Sequence, residues 1–247
     1  FGHEGILGME PPSLGLVRAS RSADPLRGQE DVMEGVVSKP MPPGRSEPGL
    51  VVAVMGAECT GKSTLAGQLA AALQRRAIAA VVVPEVLRAF SARLGRTPRA
   101  GEQRAIAELQ TQQIAQAAAR HPVVIADTTA LMTAVYSEQV FGDCGLYAQA
   151  VREHRVCALT LLAAPDLPWQ SDGHQRDGPA VRLAVDRLLR RALDRSGIPY
   201  TTVSGTGATR LHAAWTALRC ALATSASESV GHNLQSGPCA PDTRAAQ

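Results

Sequence analysis

An α/β fold, with a five-stranded parallel sheet and helices on both faces, follows from the patterning of this chain. Three features imply it. Short apolar runs alternate with helical patterns through the middle of the sequence. The runs are apolar throughout rather than at every second residue, as in strands covered on both faces. A glycine-rich stretch separates the first run from the first helix, and such a stretch suits a loop that wraps phosphate.

The elements read in order. Leu50 to Gly56 is a buried strand ending in glycine. A helix from Ser63 to about Arg76 spaces Leu65, Leu69 and Leu73 by four on one face. Residues 79–84 form a second strand, stopped by Pro84. A short helix over 85–94 and a long one from Thr97 to about Arg120 follow. Residues 122–127 are the third strand, and Thr129 to Val140 is helical until the glycines of FGDCG break it. Arg155 to Ala163 is the fourth strand. A polar loop over 166–179 precedes a helix from Ala180 to Arg195, whose inner stripe is Val181, Val185, Leu188, Leu189 and Ala192. Arg182, Asp186 and Arg190 form an i,i+4 ladder expected on its outer face. Residues 198–205 are the fifth strand, and Ala208 to about Thr224 the last helix.

The 247 residues suit one domain with tails. Residues 1–48 and 225–247 are polar and broken by Pro and Gly, and read as a disordered leader and tail around a domain at 49–224. Hydrophobic residues at 45% can supply a core. A net charge of +3 and 3% aromatics argue against a nucleic-acid partner. No apolar run is long enough to span a membrane. The five cysteines are scattered and lack CxxC spacing, which points away from a disulfide scaffold or zinc site and toward a cytoplasmic setting. A homo-oligomer is left open.

Gly56-Ala57-Glu58-Cys59-Thr60-Gly61-Lys62-Ser63 fits GxxxxGK[ST] without a gap, with Thr64 next. The glycines let backbone N–H groups turn inward around phosphate oxygens. The helix N-terminus adds its positive end. Lys62 is expected to reach the β- and γ-phosphates of ATP, and Ser63 to ligate Mg²⁺. Lys62 is one of only two lysines, beside 23 arginines, so arginine there would have been the compositional default. Asp127 ends the third strand, where a carboxylate holds Mg²⁺ through water; a helix N-cap is the other reading.

Binding a nucleoside triphosphate does not separate a kinase from an ATPase or regulator. A kinase also needs a carboxylate at the acceptor hydroxyl, cations over the transferred group and a lid. Glu85, just past the second strand, is the carboxylate candidate, with Arg88 one turn on. The loop at 166–179 is the lid candidate, with Asp166, Trp169, Asp172, His174 and Arg176, the last a candidate catalytic cation. No NKxD-type guanine reader is present.

Four segments, GAECTGKST, VPEVLRAF, ADTTALMTAVYSEQVFGD and DLPWQSDGHQRDG, occur in this order. They resemble the ribosylnicotinamide kinase domain of the bacterial NadR type, over about residues 50–220. The lid carries one residue more before its arginine than the family's D-G-x-R pattern. The resemblance implies a stand-alone P-loop kinase that moves the γ-phosphoryl of ATP to the 5′-hydroxyl of nicotinamide riboside in NAD salvage. It implies that Glu85 and Arg88 lie beside the riboside and that Asp127, Thr129 and Tyr136 line the acceptor pocket. Asp166, Trp169 and Asp172 would touch riboside or ATP, and Arg210 would lie beside the adenine. The alternative is a P-loop ATPase or nucleotide-dependent regulator.

Overall fold

The structure, a computed structural model, describes residues 47–169 and 178–233. The elements are β1 (Leu50–Met55), α1 (Lys62–Gln74), β2 (Ala80–Val83), α2 (Val86–Leu94), α3 (Gln103–Arg120), β3 (Val123–Asp127), α4 (Ala130–Phe141), α5 (Tyr147–His154), β4 (Cys157–Ala163), α6 (Gly178–Arg195), β5 (Thr201–Val203) and α7 (Gly207–Asn233). A single 3₁₀ turn at Ala100–Glu102 leads into α3.

The five strands are all parallel and run β2-β3-β1-β4-β5. The most apolar run, β1, takes the centre, where both neighbours and both faces exclude water. On one face, Leu65, Leu69 and Leu73 of α1 and Ala214 and Leu218 of α7 pack on Val52, Val54 and Ile125. On the other, Leu131, Met132 and Val135 of α4 and Val185 and Leu189 of α6 pack on Ala53, Met55 and Leu162. Each fully buried Leu or Val contributes about 1.5–3 kcal/mol. From β1 the chain crosses to β2 at one edge of the sheet, while from the adjacent β4 it goes to β5 at the other. That divergence opens a crevice at the strands' C-terminal edge.

Several expectations shift. The eight-residue α5 was not expected from the sequence. Its buried stripe is Leu146, Ala150 and His154, and a histidine in an apolar position hides the period. The long helix expected from Thr97 begins at Gln103, because the 3₁₀ turn takes up the intervening chain. α7 runs to Asn233, beyond the expected end near Thr224, so the first residues of the expected tail are helical. Arg182 and Asp186 are buried rather than on the outer face of α6. Asp186 does hold Arg190, at 2.8 Å.

His154 is 1% exposed. Its Nδ1 lies 2.8 Å from Thr129 Oγ1 and its Nε2 lies 2.8 Å from Thr160 Oγ1. The ring therefore joins the end of α5 to the start of α4 and to β4. Burial pushes its pKa down to about 4, so the folded state holds it neutral. Below the usual value near 6.5 the unfolded chain binds a proton that the folded chain refuses, and stability falls with falling pH until about 4. The loss over that window is roughly 3 kcal/mol. His154→Gln keeps hydrogen-bonding capacity and removes the titration. Urea unfolding at a series of pH values is expected to show a flatter profile for this variant between pH 6.5 and 4.

Candidate nucleotide and acceptor site

The loop between β1 and α1 turns on positive-φ residues at Gly56, Cys59 and Gly61. At Gly56 a side chain is impossible: a Cβ would lie 2.8 Å from the backbone oxygen of Ala163. The carbonyl of Ala57 accepts from Lys62 Nζ and from Thr60 Oγ1, each at 2.8 Å. One oxygen thus closes the loop on itself and holds the lysine over it. Ser63 and Thr64 are exposed in the first turn of α1, where free backbone N–H groups and the helix dipole favour an anion.

Asp127 is the last residue of β3, paired in register with Val54. Its buried Oδ1 has no hydrogen-bond partner among the described residues. Thr128 follows with φ 73°, and its N–H donates to Val54 O at 3.2 Å. Among the described residues no group of three or more His, Cys, Asp or Glu could hold a metal. Ser63 and Asp127 offer a hydroxyl and a carboxylate, oxygen donors of the kind that Mg²⁺ takes beside phosphate and water.

Glu85 is 8% exposed and sits at the N-cap of α2. Arg88 Nε donates to its Oε2 at 3.4 Å. The backbone around Glu85 is clamped by Gln110 of α3. Gln110 Oε1 accepts from Val86 N–H at 2.8 Å, and its Nε2 donates to Pro84 O at 3.3 Å. Tyr136 of α4 donates from its hydroxyl to Glu58 Oε2 at 3.3 Å. Burial and the neighbouring charges of Glu85 and Glu58 push its phenol well above the ordinary range. Glu58, Glu85, Arg88 and Tyr136 therefore gather beside the phosphate loop.

Other residues expected at the ligand also make bonds within the chain. Thr129, expected in the acceptor pocket, caps α4 by accepting from Leu131 N–H at 3.3 Å and meets His154. Asp166, expected on riboside or ATP, accepts from Gly205 N–H at 2.6 Å and pairs with Arg210. Arg210, expected beside the adenine, is 4% exposed. It donates to Gly205 O at 2.8 Å, Thr60 O at 2.9 Å and Ala164 O at 3.2 Å. It is a structural tie between the phosphate loop and the ends of β4 and β5. Trp169 is half-buried, and its Nε1 has no hydrogen-bond partner among the described residues. Asp172, His174 and Arg176 lie outside the described residues.

Sequence reasoning missed two supports. Gln110 carries no motif; only its place on the α3 face that meets α2 gives it a task. Arg182 was read as an outer charge, yet its Nη1 donates to Leu167 O at 2.8 Å and fixes the start of the 166–179 segment. A long polar side chain at the first turn of a helix, next to a polar loop, was the available signal.

Fold and loop together define a P-loop nucleotide-binding domain. Residues 51–210 match the family model described as AAA domain (AAA_28), and the chain belongs to that family. Among solved structures it is similar to a NadR protein in complex with NR, at 24% identity and a TM-score of 0.55, covering 69% of this chain and 50% of that one. It is similar to a NadR protein in complex with NAD and AMP-PNP, at 21% identity and a TM-score of 0.54, covering 69% of this chain and 48% of that one. It is also similar to deoxyadenosine kinase from M. mycoides with products dCMP and a flexible dCDP bound, at 13% identity and a TM-score of 0.50, covering 69% and 100%. These likenesses are of fold, and the chain spans about half the length of the NadR structures. No curated protein matches the chain. Among the described residues no helix is long and apolar enough to cross a membrane.

Arg210→Ala takes the guanidinium donors away from the buried carbonyl of Thr60, from the partly buried carbonyls of Ala164 and Gly205, and from Asp166. The expected cost is roughly 3 kcal/mol in urea unfolding. Arg210→Lys, with one donor group instead of a fork, is expected to restore only part of it.

Proposed function

We propose that the chain is an ATP-dependent kinase that phosphorylates the 5′-hydroxyl of nicotinamide riboside or a related nucleoside, with Mg²⁺, in cytoplasmic NAD salvage. The observation that carries this reading is the gathering of Glu58, Glu85 and Tyr136 beside the phosphate loop. A simple ATPase needs a water-positioning group; it does not need a walled set of carboxylates and a phenol. The kinase-like fold of the neighbours and the four ordered sequence segments support the same reading.

Each step is assigned to residues of this chain. Backbone N–H groups of residues 56–61 and Lys62 bind the phosphates, Lys62 exchanging its bond to Ala57 O for phosphate oxygen. Ser63 and Asp127 would hold Mg²⁺, which when bound neutralises charge on the phosphate oxygens. Glu85 orients the acceptor hydroxyl and takes its proton as the oxygen attacks the γ-phosphorus. The bond from that phosphorus to the β–γ bridging oxygen breaks, and ADP leaves. Arg88 steadies Glu85, and Gln110 holds the backbone on either side of it. The roles of Trp169, Asp172 and Arg176 in this reading rest on the sequence segment DLPWQSDGHQRDG.

The test is ADP release with and without nicotinamide riboside, with the product mass checked. Riboside-dependent ADP and one equivalent of mononucleotide are expected. Lys62→Ala and Glu85→Gln are each expected to lose about 100-fold or more in kcat, with the KM for ATP unchanged in Glu85→Gln. Full turnover in Glu85→Gln would remove it from the acceptor role. Slow ATP hydrolysis indifferent to any nucleoside would shift the reading to an ATPase or regulator.

A further inference from the structure

Glu58 lies within the phosphate loop, where sequence alone assigns it to the nucleotide. Its geometry points elsewhere. The carboxylate accepts from Tyr136 on α4 at 3.3 Å rather than from the loop's own backbone. The residue is 8% exposed, and its Oε1 is buried with no hydrogen-bond partner among the described residues. Glu85, the other carboxylate acting on Tyr136, is paired with Arg88 at 3.4 Å. Glu58 has no ion-pair partner among the described residues. A buried carboxylate oxygen without a donor is costly, and a ligand that brings a donor or a positive charge recovers that cost.

We infer that Glu58 is an acceptor-binding residue: its unpaired carboxylate takes a hydroxyl of the acceptor nucleoside and, with Glu85, favours a positively charged nucleoside over an uncharged one. The inference rests on the kinase reading and names the substrate class of that same site. The charge balance supports it. Arg88 is paired with Glu85, whereas Glu58 beside Tyr136 has no cation paired to it among the described residues. Tyr136 adds a neutral hydroxyl, because burial and the two carboxylates oppose its ionisation. An acceptor with a fixed positive ring and free sugar hydroxyls satisfies both carboxylates; an anionic acceptor would meet repulsion.

Glu58→Gln tests this, because it keeps size and one acceptor oxygen while removing the charge. Two acceptors are compared by kcat/KM: nicotinamide riboside, whose ring is cationic, and its uncharged dihydro form. Wild type is expected to prefer the cation. In Glu58→Gln that preference is expected to shrink about tenfold, with the KM for ATP within about twofold and thermal unfolding unchanged. An unchanged preference overturns the inference, as does a raised KM for ATP with unchanged acceptor kinetics, which would return Glu58 to the nucleotide. Calorimetric titration of the riboside without ATP reads the same site independently of turnover. Riboside binding that weakens about tenfold in Glu58→Gln, in a protein that transfers no phosphoryl group, would uphold the site and overturn the kinase reading. No riboside binding to wild type would overturn the site itself.

Discussion

The guanidinium of Arg210 holds together the edge of the sheet on which the candidate site depends. The phosphate loop is made of residues with poor intrinsic order, two of them glycines with positive φ. Within the loop, the Ala57 carbonyl ties Lys62 and Thr60 together, which leaves the tie to the neighbouring strand ends to be made from outside. Arg210 supplies the missing constraint by donating to Thr60 O inside the loop, to Ala164 O after β4 and to Gly205 O after β5. Asp166 balances its charge and takes the Gly205 N–H as well. Three loops that leave three different strands are thereby held in one arrangement. A buried charge is tolerated here because nearly all its donors are used.

The carboxylates at the strand ends are supported by a different logic. Glu85 and Asp127 stand at strand ends, where backbone pairing stops and side chains become available. Each then needs an external brace. Gln110 braces the backbone on both sides of Glu85. His154 braces Thr129, two residues beyond Asp127, and ties it to β4 through Thr160. Both braces come from helices on the same face of the sheet, so packing of α3 and α5 is converted into placement of polar groups. This links core burial to the site without any brace needing to touch a ligand.

Much of this was legible in the sequence. Continuous apolar runs announce strands covered on both faces, and Leu65, Leu69 and Leu73 announce the helix that covers one of them. The glycine spacing of the phosphate loop can be read because backbone geometry there tolerates few residues. Other residues were harder to read for one shared reason. A polar side chain near a strand end serves ligand and scaffold equally well on paper. Asp166, Thr129 and Arg210 were read toward the ligand, and each proves to be bonded to the chain. α5 was invisible because its third buried position is a histidine, whose value lies in its contacts with the hydroxyls of Thr129 and Thr160 outside the helix.

The sequence alone determined the alternation of strands and helices, the phosphate loop and its place after β1, because these rest on local periodicity and on backbone rules a few residues long. Tertiary structure alone decided the strand order, the turning of Glu58 toward Tyr136, and the division of polar residues into braces and candidate ligand groups. Those depend on which donors and acceptors meet across the sheet edge, and hydrogen bonds between residues as far apart as Thr60 and Arg210 leave no periodic trace in the chain.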